Sequence, residues 1–180
     1  MVDKAIILVD MLNDFVTGKL ACERAQRIIP NQQKLVATAR GRGVPVIYSN
    51  DAHYKNDFEI EKRWEEHAIK GTQGAKVIPE LEPGEKDFQV DKRTYSGFFE
   101  TGLDQLLRSM EVKTVILGGL HTNMCVRHTA AGAFFRGYDI IIIDDGVEAF
   151  TEEAHLEGLE YLKDTYNAKV METDEIIKTL

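Results

Sequence analysis

The sequence contains few cysteines and no long hydrophobic run. Cys22 and Cys125 are its only two cysteines, and in a reducing compartment we expect two free thiols, each to be explained alone. The only early apolar run, residues 5–9, is too short for a signal-peptide core or a membrane span. We therefore expect the protein to be cytoplasmic.

The sequence also lacks a cluster of positive charge. Its 22 Lys and Arg residues are outnumbered by 30 Asp and Glu residues, the formal net charge is -8, and no Lys/Arg run occurs. Proteins that bind nucleic acid or anionic membranes normally present a basic face to phosphate. The composition therefore predicts no nucleic-acid partner and no membrane partner.

No repeat, low-complexity tract or linker rich in serine and proline divides the chain. Its 180 residues, 43% hydrophobic and 29% charged, suit one globular domain with a sizeable core. We predict that residues 1–180 form a single domain. The least regular part, 51–84, is predicted to pass over the active-site edge.

Short apolar runs alternate with longer segments in which apolar residues recur at helical spacing, which is typical of repeated βα units. Because the short runs are continuously hydrophobic, both faces of the sheet should be buried and its strands mostly parallel. The predicted fold is α/β, a Rossmann-like three-layer sandwich with a six-stranded, mostly parallel sheet. Strands are predicted at 5–9, 44–48, 88–90, 114–117, 138–143 and 168–171, and helices at 29–42, 103–110, 125–136, 152–166 and 174–179.

Polar residues that directly follow strands are functional candidates, because ligands of open parallel sheets bind outside the carboxyl ends of the strands. Asp10 follows the first strand, where partial burial should raise its pKa toward that of a useful base. The alternative is that Asp10 only holds a turn. Lys92 follows the third strand and could stabilise two anions, although most lysines are surface charges.

Cys125 follows the fourth strand through a glycine pair and a polar loop, in a strand–turn–helix pattern. This pattern predicts a sulfur at a helix N-terminus, where the macrodipole favours thiolate and backbone amides can receive an oxyanion. A small buried packing cysteine is the alternative. His128, three residues further on, is a rival partner for the sulfur.

Several ordered motifs resemble the isochorismatase-like cysteine hydrolases, which include nicotinamidases and N-carbamoylsarcosine amidases. The resemblance spans nearly the whole chain and is carried by residues 7–11, 13–15, 51–53, 90–98 and 118–126. It implies that Asp10 is the general base, Lys92 the cation and Cys125 the nucleophile. It also implies a non-proline cis peptide bond before His121, with the backbone amides of His121 and Cys125 as the oxyanion hole.

The resemblance implies a cysteine amidohydrolase. Such an enzyme cleaves a linear carbon–nitrogen bond, amide or carbamoyl but not peptide, in a small molecule and releases ammonia. The resemblance also suggests a homo-oligomer. Two alternatives stay open: an isochorismatase-type vinyl-ether hydrolase, which in the family works without the nucleophilic cysteine, and a non-catalytic member of the fold.

A divalent metal site is predicted near the second strand end. Asp51 and His53 are two residues apart, so in extended backbone they point the same way. His67 is the expected third ligand, because its surroundings resemble a ligand-bearing segment of nicotinamidases. Zinc, iron and manganese all suit these donors, and no organic cofactor is expected. A hydrogen-bonded loop staple is the alternative.

Four residues are predicted to wall the substrate pocket: Phe15, Trp64, Tyr95 and His121. His121 departs from the resemblance, because nicotinamidases tend to have a small residue there. An imidazole at that position would narrow the pocket or add a hydrogen-bond donor, which speaks against nicotinamide as the substrate.

Overall fold

The computed structural model describes residues 3–180. Its centre is one six-stranded sheet in which every paired strand runs parallel. The strands are β1 (Lys4–Val9), β2 (Val46–Asp51), β3 (Phe88–Lys92), β4 (Thr114–Leu120), β5 (Asp139–Glu148) and β6 (Lys169–Met171). The predicted six-stranded sheet is confirmed, and it is entirely rather than mostly parallel.

The described residues also form seven α-helices. They are α1 (Asn13–Val16), α2 (Ile29–Arg42), α3 (Phe58–Lys62), α4 (Leu103–Ser109), α5 (Arg127–Phe134), α6 (Glu152–Tyr166) and α7 (Thr173–Ile177). Two predicted helices, α2 and α6, match at both ends. Pro30 in the first turn of α2 and Gly43 after its last turn, at φ 71°, mark those limits. No helix within residues 3–180 is long and apolar enough to cross a membrane.

Helices cover both faces of the sheet, because alternate residues of each buried strand point to opposite sides. On one face, Ile6 and Leu8 share a core with Leu35 of α2 and Ile176 of α7. On the other, Ile7 and Val9 pack with residues of α4, α5 and α6, including Leu107, Ala130 and Leu162. The predicted three-layer arrangement is therefore confirmed.

The strand order is β3-β2-β1-β4-β5-β6, so the chain builds outward from β1 and then returns to place β4 on the other side of β1. In parallel sheets, a cleft opens at such a reversal, outside the carboxyl ends of the two central strands. Here Asp10 follows β1 and the segment leading to Cys125 follows β4, so both residues lie beside that cleft.

The predicted helix at 125–136 begins differently from expectation. A π-helical turn, Thr122–Val126, precedes α5, and Cys125 lies inside this turn. The turn forms because the carbonyl of His121 accepts from both Met124 N, at 2.9 Å, and Val126 N, at 3.2 Å. The sulfur is therefore carried by a wide turn between β4 and α5.

The irregular segment after β2 is fastened to the rest of the fold. Isolated bridges pair Leu12 with Val77 and His53 with Ile69. The carboxylate of Asp14 accepts a hydrogen bond from Ala68 N at 2.8 Å. These contacts hold the segment that carries His67 over the carboxyl edge of the sheet, as predicted.

Candidate active site

Lys92 occupies the centre of a buried group of ionisable side chains that we call the Lys92 cluster: Asp10, Asp51, Lys92 and Cys125. Its Nζ donates to Asp10 Oδ2 at 2.8 Å and to Asp51 Oδ1 at 2.5 Å. The two carboxylates and the Cys125 sulfur offer atoms that lie within 4.8 Å of one another. The structure thus brings together the three residues singled out as base, cation and nucleophile.

Asp51, a predicted metal ligand, also belongs to the Lys92 cluster. Sequence reasoning missed this second role. Its Oδ1 accepts from Lys92, and its backbone amide donates to Asp10 Oδ1 at 2.7 Å. Register explains the contact, because Asp51 pairs with Lys92 at the ends of the adjacent parallel strands β2 and β3. Strand pairing cannot be read from either strand's own sequence.

The two carboxylates differ in acidity. Burial, reinforced by the negative charge of Asp51, raises the pKa of Asp10 to about 6, which confirms the predicted direction. Burial also opposes ionisation of Asp51, but Lys92 and His53 outweigh it and lower the pKa of Asp51 to about 2. Asp10 is therefore the carboxylate better suited to accept and return a proton near neutral pH.

The cysteine is not a resting thiolate, contrary to the expectation from its place near a helix start. Burial raises the pKa of Cys125 well above its ordinary value, and the charge of Lys92 only partly offsets this. Lys92 itself stays charged: burial lowers its pKa, but Asp10 and Asp51 outweigh burial and raise it well above the ordinary value. The sulfur therefore needs a base when it reacts.

The bond between Leu120 and His121 is a non-proline cis peptide, in agreement with the expectation. Just before it, Gly119 adopts φ 105°, and a Cβ at this position would lie 2.0 Å from the carbonyl oxygen of Val9. Only glycine permits this approach of β4 to β1. The approach helps to bring the turn that carries Cys125 next to Asp10.

His128 does not partner the sulfur. The residue is exposed, its Nδ1 donates to the Met124 carbonyl at 2.8 Å, and its ring packs 5.3 Å from the ring of Tyr95. The helical turn points this side chain away from the Lys92 cluster. The geometry therefore does not support a catalytic pair of Cys125 and His128.

The predicted metal ligands converge in what we call the histidine cluster: Asp51, His53 and His67. All three are buried, and one potential ligand atom from each lies within 4.8 Å of the others. His53 Nε2 is 3.5 Å from Asp51 Oδ2 and, among residues 3–180, has no hydrogen-bond partner. Burial lowers the pKa of His67, which keeps its imidazole neutral as metal ligation requires.

The other nitrogen of each histidine is held in place. His67 Nδ1 donates to the Glu65 carbonyl at 2.7 Å, and His53 Nδ1 lies 3.4 Å from Asp57 Oδ2. Such contacts set the orientation of metal-binding imidazoles and leave Nε2 for the ion. The residues therefore fit a divalent cation.

Asp57 is a supporting residue that sequence reasoning missed. Its buried carboxylate accepts from Tyr54 N at 3.0 Å and pairs with Arg93, whose Nε lies 3.1 Å from both oxygens. The Arg93 hydrogen bond outweighs burial and lowers the pKa of Asp57 to about 2. The one sequence feature that could have indicated this role is the position of Asp57 four residues after His53.

Aromatic side chains line a small, partly open cavity beside both clusters. All four predicted wall residues line it: Phe15, Trp64, Tyr95 and His121. Trp64 Nε1 donates to the hydroxyl of Tyr95 at 3.1 Å, which joins two of the walls. Sequence reasoning missed Leu20, Glu59, Met124 and Phe150, which also line the cavity.

The chain belongs to the isochorismatase family: the family model described as an isochorismatase domain matches residues 4–175. That match covers the whole sheet and every residue of both clusters.

Solved structures agree with this assignment. An isochorismatase-like hydrolase from Alkaliphilus metalliredigens is 41% identical, with 98% of each chain covered and a TM-score of 0.94. The N-carbamoylsarcosine amidase from Thermoplasma acidophilum is 40% identical over 96% of this chain and 97% of its own, with a TM-score of 0.91. The pyrazinamidase of Pyrococcus horikoshii, solved in complex with zinc, is 28% identical over 94% and 99%, with a TM-score of 0.88.

Proposed function

We propose that this protein is a cysteine amidohydrolase that cleaves a linear amide or carbamoyl carbon–nitrogen bond of a small molecule and releases ammonia. The observation that carries the proposal is the Lys92 cluster: a protonated thiol beside a carboxylate whose pKa of about 6 suits a base. The neighbouring N-carbamoylsarcosine amidase and pyrazinamidase support the same reaction class. Cys125 argues against the vinyl-ether alternative.

In the first half-reaction, the Cys125 sulfur attacks the substrate carbonyl carbon while Asp10 takes the thiol proton. The carbonyl oxygen becomes an oxyanion, which the backbone amides of His121 and Cys125 stabilise. The proton on Asp10 passes to the nitrogen as the carbon–nitrogen bond breaks. Ammonia leaves, and a thioester remains on Cys125.

In the second half-reaction, Asp10 takes a proton from water, and the oxygen of that water attacks the thioester carbon. The carbon–sulfur bond breaks, the proton returns to sulfur, and the acid product is released. Lys92 stays charged throughout and limits the repulsion between Asp10, Asp51 and the anions that form. The sum is one amide and one water converted into one acid and one ammonia.

We propose that Asp51, His53 and His67 hold a divalent metal, with zinc, iron and manganese as candidates. Two observations support this assignment: the Nε2 of His53 has no hydrogen-bond partner in the described part of the chain, and the ring of His67 is oriented by its Nδ1 contact. A bound ion would supply a Lewis-acidic position that holds a substrate atom in the pocket.

We also propose that the protein assembles as a homo-oligomer. Phe134 and Phe135 of α5 are 46% and 75% exposed, and exposed aromatic groups of this kind are common at subunit contacts. Light scattering coupled to size exclusion should give a mass above that of one 20.4 kDa chain. A single-chain mass at micromolar concentration would contradict the assembly.

The catalytic proposal is tested by ammonia release from a panel of primary amides and N-carbamoyl compounds. Cys125→Ala should lower turnover by at least about 10³-fold. Cys22→Ala should retain it, because Cys22 contacts the Ala149 carbonyl at 3.3 Å and not the cluster. Acid quenching and intact-mass spectrometry should detect the acyl-enzyme in the wild type. Wild-type rates in Cys125→Ala, or no ammonia from any substrate, would overturn the proposal.

A further inference from the structure

His121 is a buried polar side chain in the pocket that the catalytic scheme uses only through its backbone. The residue is 4% exposed and lines the cavity together with Cys125. Within residues 3–180, its Nε2 finds no hydrogen-bond partner. Buried polar atoms are nearly always paired, so an unpaired nitrogen at a binding cavity points to a ligand group.

The ring of His121 is packed between two aromatic neighbours. It stacks on Phe150 with centroids 4.0 Å apart and planes 25° apart, and it forms a T-shaped contact with Phe15 at 5.9 Å and 86°. These contacts restrict the plane of the imidazole. The plane in which its nitrogens can meet a substrate group is therefore defined before a substrate binds.

The imidazole that His121 presents to the pocket is neutral. Burial lowers the pKa of His121 to about 4, so the ring is uncharged at neutral pH and carries one donor and one acceptor. Among the described residues that line the cavity, Asp51 and Glu59 are acidic and none is arginine or lysine. A substrate carboxylate would find no positively charged side chain in this lining, and only the proposed metal could offset its charge.

We propose that His121 is a specificity-determining residue whose imidazole hydrogen-bonds an uncharged polar group on the substrate, remote from the amide that is cleaved. This inference rests on the proposed amidohydrolase function. It assigns the site to amides that carry such a group, in preference to purely hydrocarbon amides.

The test compares amides of nearly equal shape by calorimetric binding to Cys125→Ala, so that the result does not depend on turnover. Benzamide is the hydrocarbon reference, and nicotinamide, pyrazinamide and 3-hydroxybenzamide each add an uncharged polar group. The best polar amide should bind at least about tenfold more tightly than benzamide. In His121→Phe, which keeps a flat ring, this preference should fall below about threefold, and His121→Gln should restore part of it.

Two controls separate His121 from its surroundings. Phe150→Leu disturbs the stacking without removing a hydrogen bond, so all amides should weaken by similar factors. Repeating the titrations with zinc and with a chelator shows whether a bound metal contacts the same polar group of the substrate.

Two outcomes would overturn the assignment. The preference for the polar amide survives in His121→Phe, or it disappears only when the chelator is added.

Ammonia release by the His121 variants with intact Cys125 completes the design. The loss should appear in kcat/KM for the polar amide and much less for benzamide. If the wild type hydrolyses none of the amides but the binding preference depends on His121, the proposed function fails and the specificity assignment stands. If the wild type releases ammonia but the binding preference does not depend on His121, the specificity assignment fails and the proposed function stands.

Discussion

The Lys92 cluster and the histidine cluster share Asp51 but satisfy their polar atoms in different ways. In the Lys92 cluster, one ammonium group bonds both carboxylates, at 2.8 and 2.5 Å. In the histidine cluster, the outer nitrogens are held by Glu65 and Asp57, whereas the inner Nε2 of His53 has no partner within residues 3–180. The first cluster is internally paired, and the second is arranged to receive a ligand.

This difference shows how one carboxylate serves two neighbouring tasks. Asp51 Oδ1 faces Lys92, and Asp51 Oδ2 faces His53. A change in either cluster therefore alters the charge felt by the other. Substitutions that remove one partner at a time should separate the two roles.

The largest effect is expected from Lys92→Met, which leaves two buried carboxylates facing each other. Removing one partner of a buried ion pair typically costs about 3–5 kcal/mol of stability. Turnover should fall at least about 100-fold, because the site loses the charge that limits repulsion. Urea unfolding and ammonia release measure the two effects.

The double variant Lys92→Met with Asp51→Asn sharpens this test. It removes one of the two repelling charges, so part of the lost stability should return while turnover stays low. If Lys92→Met unfolds at the wild-type urea concentration, the ammonium is not what balances the carboxylates.

A second large effect is expected in the histidine cluster. His53→Ala should reduce bound zinc from about one ion per chain to near zero, because it removes one of three ligands. His128→Ala is the matched control, since His128 is exposed and its Nδ1 bonds the Met124 carbonyl, away from the histidine cluster. Elemental analysis after zinc loading and desalting gives the stoichiometry. Equal zinc in His53→Ala and the wild type would refute the assigned ligand.

A smaller effect is expected from Asp57→Asn, which weakens the support behind His53 without touching a ligand. Loss of such a supporting contact typically lowers metal affinity by about 10–100-fold. Competition with a chromophoric chelator measures the affinity.

Arg93→Gln is the control for Asp57, because it removes the ion pair but keeps the carboxylate beside His53. Its zinc affinity should stay closer to that of the wild type than the affinity of Asp57→Asn. An equal loss in both variants would show that loop anchoring, rather than imidazole orientation, explains the effect.

The smallest expected effect is a shift in the pKa of the Cys125 thiol, and the direction of each shift is defined. In Cys22→Ala, the thiolate absorbance of Cys125 should appear only above the ordinary pKa of a cysteine, because burial opposes ionisation. Asp10→Asn removes a nearby negative charge and should move this pKa down. Lys92→Met removes a positive charge and should move it up. Both variants should nevertheless lose turnover. A thiolate already formed at pH 7 would contradict the need for Asp10 as the base.

Local sequence determined most of the fold. The six apolar runs correspond to the six strands. In the central strands, continuous hydrophobicity records burial on both faces of the sheet, whereas the edge strands β3 and β6 are largely exposed or half-buried. Local sequence also located three of the four residues of the Lys92 cluster, since Asp10 and Lys92 lie where apolar strands end and Cys125 follows a glycine pair. The assignment of their roles came from the family resemblance and remains a proposal.

Only the tertiary structure decided how these parts cooperate. Strand pairing places Asp51 against Lys92, and the packing of distant loops brings His67 to His53 and Asp57 behind them. Burial raises the pKa of Cys125, contrary to the expected thiolate. Desolvation depends on every element packed around the sulfur rather than on its helical turn alone. Register, loop packing and desolvation all arise from contacts between residues far apart in the chain, and no local pattern encodes them.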